Sequence, residues 1–170
     1  MIMISNFIFS FLASLGFAGI FNIKGKKVIY ASLGGSIAWL SYLICKNNNC
    51  STVFSFFIGS IAGSVYSEIM ARIQKTPVTL MVICAMIPLV PGGGMYYTMQ
   101  KVIEGDVSGA LNTGFTTFSV AGAIALGMVM VSSMTRLIYK FREKLQLAEE
   151  KRKRYQIKYK NVIWNEIKNN

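Results

Sequence analysis

The 170-residue chain contains no histidine and only seven acidic residues. Without imidazole, the commonest metal ligand and neutral-pH acid–base group is missing, so a zinc or haem site is not expected. A membrane-embedded enzyme would need paired acids, a metal or an activated nucleophile, and the residues offer none of these. No catalytic residue, metal or cofactor is therefore expected. Cysteine is sparse: Cys84 falls inside an apolar run and reads as a small filler. Cys45 and Cys50 flank a short polar segment, and their spacing leaves open whether they pair. Charge is scarce too, at 15% of residues against about 25% in soluble domains.

What fills the chain instead is apolar sequence, 53% of residues with a mean hydropathy of +0.46. A soluble domain of this length has too little interior to hide that much. Five stretches approach the roughly 20 residues that a helix needs to cross a hydrocarbon core. They are Met1–Ile23, Val28–Cys45, Thr52–Ile69, Thr79–Met99 and Ala110–Leu137. The first has no positive charge before it, unlike a secretory signal peptide, and reads as a retained helix entering from outside. An all-α polytopic membrane protein of about five spans is predicted.

The net charge of +11 runs against that picture until it is located. Residues 136–170 hold 11 basic and 4 acidic residues, so most of the excess lies in the tail. In the remainder, Lys24, Lys26, Lys27, Arg72 and Lys75 fall in alternate loops. The positive-inside rule then gives five spans with the N-terminus outside and the C-terminus in the cytoplasm. The predicted organisation is a transmembrane domain over 1–137 and a basic cytoplasmic helical tail over 138–170.

In the tail, Ile138, Phe141, Leu145, Ala148, Tyr155, Tyr159 and Val162 recur at three- and four-residue steps, interrupted by Arg152. Such a stripe suits a helix that packs on a partner, and its basic face suits anionic inner-leaflet lipids at about 1 kcal/mol per cation. Plain topological anchoring with a solvated helix accounts for the same residues. Nucleic acid is not an expected partner, because no recognition motif accompanies the charge.

Small residues repeat every four positions in the third span, at Ser55, Gly59, Gly63 and Ser67. Ala31 and Gly35 in the second span, and Ser119, Ala123 and Gly127 in the last, have the same spacing. These stripes predict close helix–helix contact.

The fourth span carries two of the chain's three prolines, Pro88 and Pro91, followed by Gly92, Gly93 and Gly94. Proline removes a helical hydrogen bond and clashes with the preceding turn, so the helix should stop near Leu89 and resume near Met95. Counting from Val78 puts Pro88 about 15 Å deep, near the middle of a core roughly 30 Å thick. Open backbone at that depth must be buried in protein or line a wet cavity. A discontinuous helix there is a transporter device: the second half offers free N–H groups and a positive dipole end to a carboxylate. Pro88, Pro91, Gly92, Gly93 and Gly94, with Tyr96, Tyr97 and Thr98 for hydroxyl contacts, are the candidate substrate-binding residues. A simple proline kink is the competing explanation.

Glu68 is the one acid within a predicted span, and such acids default to functional candidates. Arg72 lies four residues later, the favourable order for a helical ion pair. Glu68 is thus either half of an interfacial pair or a coupling or amine-binding acid, about 9 Å shallower than the Pro-Gly break.

Taken together, Ser67-Glu-Ile-Met-Ala-Arg72, Pro77 and Ile87-Pro-Leu-Val-Pro-Gly-Gly-Gly-Met-Tyr-Tyr-Thr-Met99 resemble the small membrane subunit of the bacterial two-component threonine/serine exporters. Gly16-Phe-Ala-Gly-Ile-Phe-Asn22 and Ala31-Ser-Leu-Gly-Gly-Ser36 fit the opening part of the same family. The resemblance covers roughly Gly16 to Leu137, and the tail departs from it. It implies export of threonine and serine, with succinate for some members, and a larger membrane subunit as partner. A homo-oligomer is a further possibility. The expected function is therefore a subunit of an inner-membrane exporter of small carboxylates working by alternating access. The alternative is a scaffold that stabilises a larger transporter without lining its path.

Overall fold

A computed structural model describes the backbone of residues 2–169 and the side chains of residues 3–142, 144–148 and 152. Every element among the described residues is helical: α1 (Ile2–Ile20), α2 (Lys27–Asn47), α3 (Thr52–Ile73), α4 (Val78–Met86), a 3₁₀ turn (Ile87–Leu89), α5 (Gly92–Ile103) and α6 (Val107–Asn169). Four helices are long and apolar enough to cross a membrane, and α4 with α5 forms a bent fifth candidate. A helix of 22 residues such as α3 reaches about 33 Å, enough for a hydrocarbon core.

The chain turns between helices by one repeated device. The Asn22 N–H bonds Gly19 O and the Ile23 N–H bonds Ala18 O. The same pair of bonds closes α2 at Asn49 and Cys50, α3 at Lys75 and Thr76, and α5 at Gly105 and Asp106. Each motif needs one residue in the left-handed region, here Asn22 (φ 55°), Asn49 (φ 60°), Lys75 (φ 49°) and Gly105 (φ 79°). These Schellman caps satisfy carbonyls that a membrane interface would otherwise leave open. Two of the helices that follow, α3 and α6, start on side-chain caps: Ser51 Oγ accepts from the Phe54 N–H at 3.3 Å, and Asp106 Oδ1 from the Gly109 N–H at 2.8 Å.

Polarity is distributed as a bilayer requires. Ser10, Ser14, Ser32, Ser36, Ser55, Ser60, Ser64 and Ser67 are buried, while Phe9 is 70% and Phe118 77% exposed. Where the surrounding solvent is hydrocarbon, small polar residues mediate helix contact and large apolar ones face outward. Ser10, Ser32, Ser55 and Ser60 return their proton to their own helix, as Ser32 does to Val28 O at 2.9 Å. Ser36 Oγ instead crosses to Phe7 O on α1 at 3.3 Å, and Trp39 Nε1 reaches Asn6 Oδ1 at 3.3 Å.

The small-residue stripes are contact seams. A Cβ at Gly59 would meet the Ala38 backbone oxygen at 2.9 Å, and one at Gly63 the Ala38 Cβ at 2.8 Å. Gly35 faces Ser14 and the Pro88 ring, and Gly127 faces Ser60. Behind these seams Ala38, Tyr42, Ala85, Met86, Leu89, Val120 and Ile124 form one core cluster. Cys84 packs with Ala18, Ala31 and Met81 in a second, as expected of a filler.

The chain divides into two compact units, residues 1–132 and 133–170. The sequence placed its boundary slightly later, between Leu137 and Ile138. In the second unit Ile138, Phe141 and Leu145 are exposed. Tyr155, Tyr159 and Val162 lie outside the residues whose side chains are described.

The seam makes a direct prediction. Gly59→Ala drives a methyl into a backbone carbonyl that cannot swing aside, and should cost about 1–3 kcal/mol. Gly122→Ala meets nothing within 4 Å on α6 and should gain about 0.5–1 kcal/mol. Thermal unfolding in detergent would separate the two, and equal effects would refute the seam.

Candidate functional site

The broken helix positions the site. α4 and its 3₁₀ turn occupy Val78–Leu89, α5 occupies Gly92–Ile103, and the two halves meet at 50°. A 50° bend deflects the chain without reversing it. With nine and three residues before the break and twelve after it, the break is central.

The first half stops where expected, but the second begins earlier than the predicted Met95, at Gly92. Pro91 supplies the reason: it serves as N-cap, with its own geometry (φ −78°, ψ 50°), and starts the helix at once. The glycines therefore form the first turn of α5 rather than a linker. This reduces the free N–H groups. The Gly92 N–H bonds Val90 O at 2.8 Å and the Met95 N–H bonds Pro91 O at 3.2 Å. The open donors of that turn are Gly93 and Gly94.

A cavity of about 330 Å³ lies against this turn, at the small end of the roughly 300–1,000 Å³ range of ligand pockets. Pro88, Pro91, Gly93 and Gly94 line one side, Trp39 and Phe56 another, and Thr113, Thr116 and Thr117 of α6 a third. Each threonine hydroxyl donates to a carbonyl one turn back: Thr113 to Gly109 at 2.9 Å, Thr116 to Asn112 at 2.9 Å, Thr117 to Thr113 at 2.7 Å. With their protons committed, these hydroxyls present lone pairs and act as acceptors. Glycine is required at 94 by contact, since a Cβ there would strike Thr117 Oγ1.

Lys101 adds the charge. Its Nζ donates to Thr113 Oγ1 at 3.0 Å and reaches Gly109 O at 3.5 Å, and neither partner is a carboxylate. A half-buried ammonium thus rests on a cavity-lining hydroxyl without a counter-ion among the described residues.

The other sequence candidates lie elsewhere. Tyr96 and Tyr97 are mostly exposed and meet each other edge-on, with ring centroids 5.4 Å apart. Thr98 lines a separate apolar groove with Gly114 and Phe118. Gly92 is exposed at the tip of α5 and does not line the cavity.

Glu68 and Arg72 form a second polar locus. Glu68 is buried, and its Oε2 lies 2.9 Å from Arg72 Nη2. That oxygen lacks hydrogen-bond alignment, while Arg72 Nη1 donates squarely to Glu68 O at 2.7 Å. Ser64 and Ser67, on the same face of α3, bury hydroxyls that have no partner. Phe56 of the cavity and Glu68 are more than three turns apart on α3, about 18 Å along the axis. The separation exceeds the 9 Å read from the sequence, because the cavity opens on the other half of the broken helix. No small solute touches both at once.

With this geometry, residues 6–134 match the family described as Threonine/Serine exporter, ThrE, which is more than half of the chain. The chain belongs to the threonine/serine exporter family. It is a multi-pass membrane protein of a transporter family rather than of an enzyme family. No solved structure matches it. The match takes in every residue of the cavity and both members of the Glu68–Arg72 pair.

Sequence reasoning missed Trp39, Phe56, Lys101 and the three threonines of this exporter. One signal was available: Thr113, Thr116 and Thr117 stand at i, i+3 and i+4, one helix face inside an apolar run.

The Glu68–Arg72 locus is testable by itself. Arg72→Ala leaves a buried carboxylate without its cation and should lower stability by about 1–3 kcal/mol. Glu68→Gln/Arg72→Ala should recover part of that loss, and additive losses in a double-mutant cycle would show the two groups to be uncoupled.

Proposed function

We propose that this exporter-family chain is a subunit that carries small carboxylates, threonine and serine first, through the cavity beside the α4–α5 break. The observation that carries the proposal is the arrangement of groups around that cavity. Two unsatisfied N–H groups at Gly93 and Gly94 and the Lys101 ammonium suit a carboxylate. Three hydroxyls with committed protons suit the ammonium of the same amino acid. Trp39, Phe56, Pro88 and Val120 supply an apolar wall that excludes water and strengthens both contacts.

In the proposed orientation the N-terminus is outside, the protein sits in the inner membrane, and residues 1–137 form the transport domain. The basic tail over 138–170 lies in the cytoplasm against anionic lipids. The cavity adjoins the half of the bundle that carries the α2–α3 and α5–α6 turns. Close packing of Gly35 on Pro88 and of Gly63 on Met86 fills the other half. That asymmetry supports an outward-open form, with alternating access requiring those two seams to part. Glu68, buried among unpartnered hydroxyls at the opposite end, is the coupling acid, with Arg72 as its ion-pair partner. A larger membrane subunit completes the path.

Efflux of threonine, serine and succinate from cells lacking the subunit pair, with and without restoration, tests the reading. Restored efflux is expected, and unchanged efflux of all three would reject it. Lys101→Met should weaken apparent affinity for the amino acids about 10–100-fold, the loss of one charge-assisted hydrogen bond. Glu68→Gln should retain exchange across the membrane yet lose accumulation against a gradient.

A further inference from the structure

The Schellman cap brings two side chains together, that of the third-last helical position and that of the second residue beyond the cap. At the end of α1 these are Ala18 and Ile23, which pack in one core cluster. At the end of α2 the same two positions are Cys45 and Cys50. The Cys50 N–H bonds Cys45 O at 3.4 Å, the Asn49 N–H bonds Lys46 O at 3.1 Å, and Asn49 takes φ 60°. A direct backbone bond between the two residues keeps their α-carbons in the range of about 4.4–6.8 Å that a disulfide spans. Both thiols are half-buried and unbridged. The Cys50 thiol is pushed above its ordinary range, first by a hydrogen bond with the Cys45 side chain and then by desolvation.

We propose that Cys45 and Cys50 are an oxidative modification site: an intramolecular disulfide that staples the C-terminus of α2 to the start of the α2–α3 turn. The proposal rests on the orientation given above, which puts this turn outside, where disulfides persist. The oxidant is a disulfide-bearing protein or low-molecular-weight disulfide of that compartment. One thiolate attacks a sulfur of the oxidant's disulfide, giving a mixed disulfide and releasing the oxidant's other sulfur as a thiolate. The second cysteine thiolate then attacks the mixed disulfide at the bound cysteine's sulfur. The Cys45–Cys50 bond forms, and the oxidant leaves as a dithiol or two thiols, its sulfurs taking up, by way of solvent, the two protons that the cysteines gave up. The Schellman bonds already hold the two residues against each other before the bridge closes. The staple fixes the turn that joins Trp39 and Phe56, the two aromatic walls of the cavity, where Tyr42 and Phe56 already stack at 4.3 Å.

The test counts thiols in the full chain. Cells are quenched in acid, and the denatured protein is alkylated with a maleimide before and after reduction. One alkylated cysteine, Cys84, is expected before reduction and three after it. Three before reduction would overturn the proposal, as would a disulfide-linked dimer on a non-reducing gel. Cys50→Ser should free Cys45, giving two alkylated cysteines without reductant, and continued protection of Cys45 would also overturn it. Labelling of reduced intact cells with a membrane-impermeant maleimide separates the two levels. Labelled Cys45 and Cys50 mean that any failure belongs to the disulfide alone, whereas protection from the reagent rejects the orientation and the proposal with it. Reductant should lower the melting temperature of the wild type and leave that of Cys45→Ser/Cys50→Ser unchanged.

Discussion

Hydrocarbon cannot hydrogen-bond an open backbone, so the α4–α5 break must pack on other helices or line a cavity, and its α4 side is packed. That constraint explains the composition of the surrounding bundle. Leu89 at the end of the 3₁₀ turn is completely buried, and Pro88 lies against Gly35. Such proximity needs helices without side chains at the crossing points. Gly35, Gly59 and Gly63 provide them, so the GxxxG-type seams and the proline break are two parts of one arrangement.

Enclosure by small residues leaves little apolar surface inside, and in a membrane little is needed. Half of the buried serines bond to their own helices, as Ser32 and Ser55 do. Ser64, Ser67 and Glu68 are buried on one face of α3 with unsatisfied oxygens, and Lys101 is a cation resting on neutral oxygens. These groups lie at two separate levels along the bundle. One suits an anionic group and the other holds a carboxylate.

In the proposed mechanism the two levels divide the labour that a transporter requires. Recognition is assigned there to the open turn of α5 and the threonine face of α6, which differ in sequence position by some twenty residues yet meet at Gly94 and Thr117. Coupling is assigned to α3, the helix whose other end walls the cavity through Phe56. A rigid helix about 33 Å long thus touches both, and any movement of α3 against α2 is felt at each.

Hydropathy and two prolines were enough to read up to five spans and the break from the sequence, because each is a local property, and the motifs around Glu68 and Pro88 carried the family resemblance. A run of apolar residues must cross, and Pro88 cannot continue a helix. The caps were equally local once Asn22, Asn49 and Gly105 are seen as left-handed residues between helices. What faces the break was not local. Tyr96 and Tyr97 follow the glycines in sequence, but α5 starts at Gly92, and helical phase from that point turns both rings outward. Their places are taken by Trp39, Phe56 and three threonines from distant segments. Lys101 reaches Thr113 because α5 and α6 fold back on each other through the Gly105 turn. The sequence determined that backbone would be open within the membrane. Only tertiary packing decided which side chains would face it, since that depends on how closely the glycine seams let the helices approach.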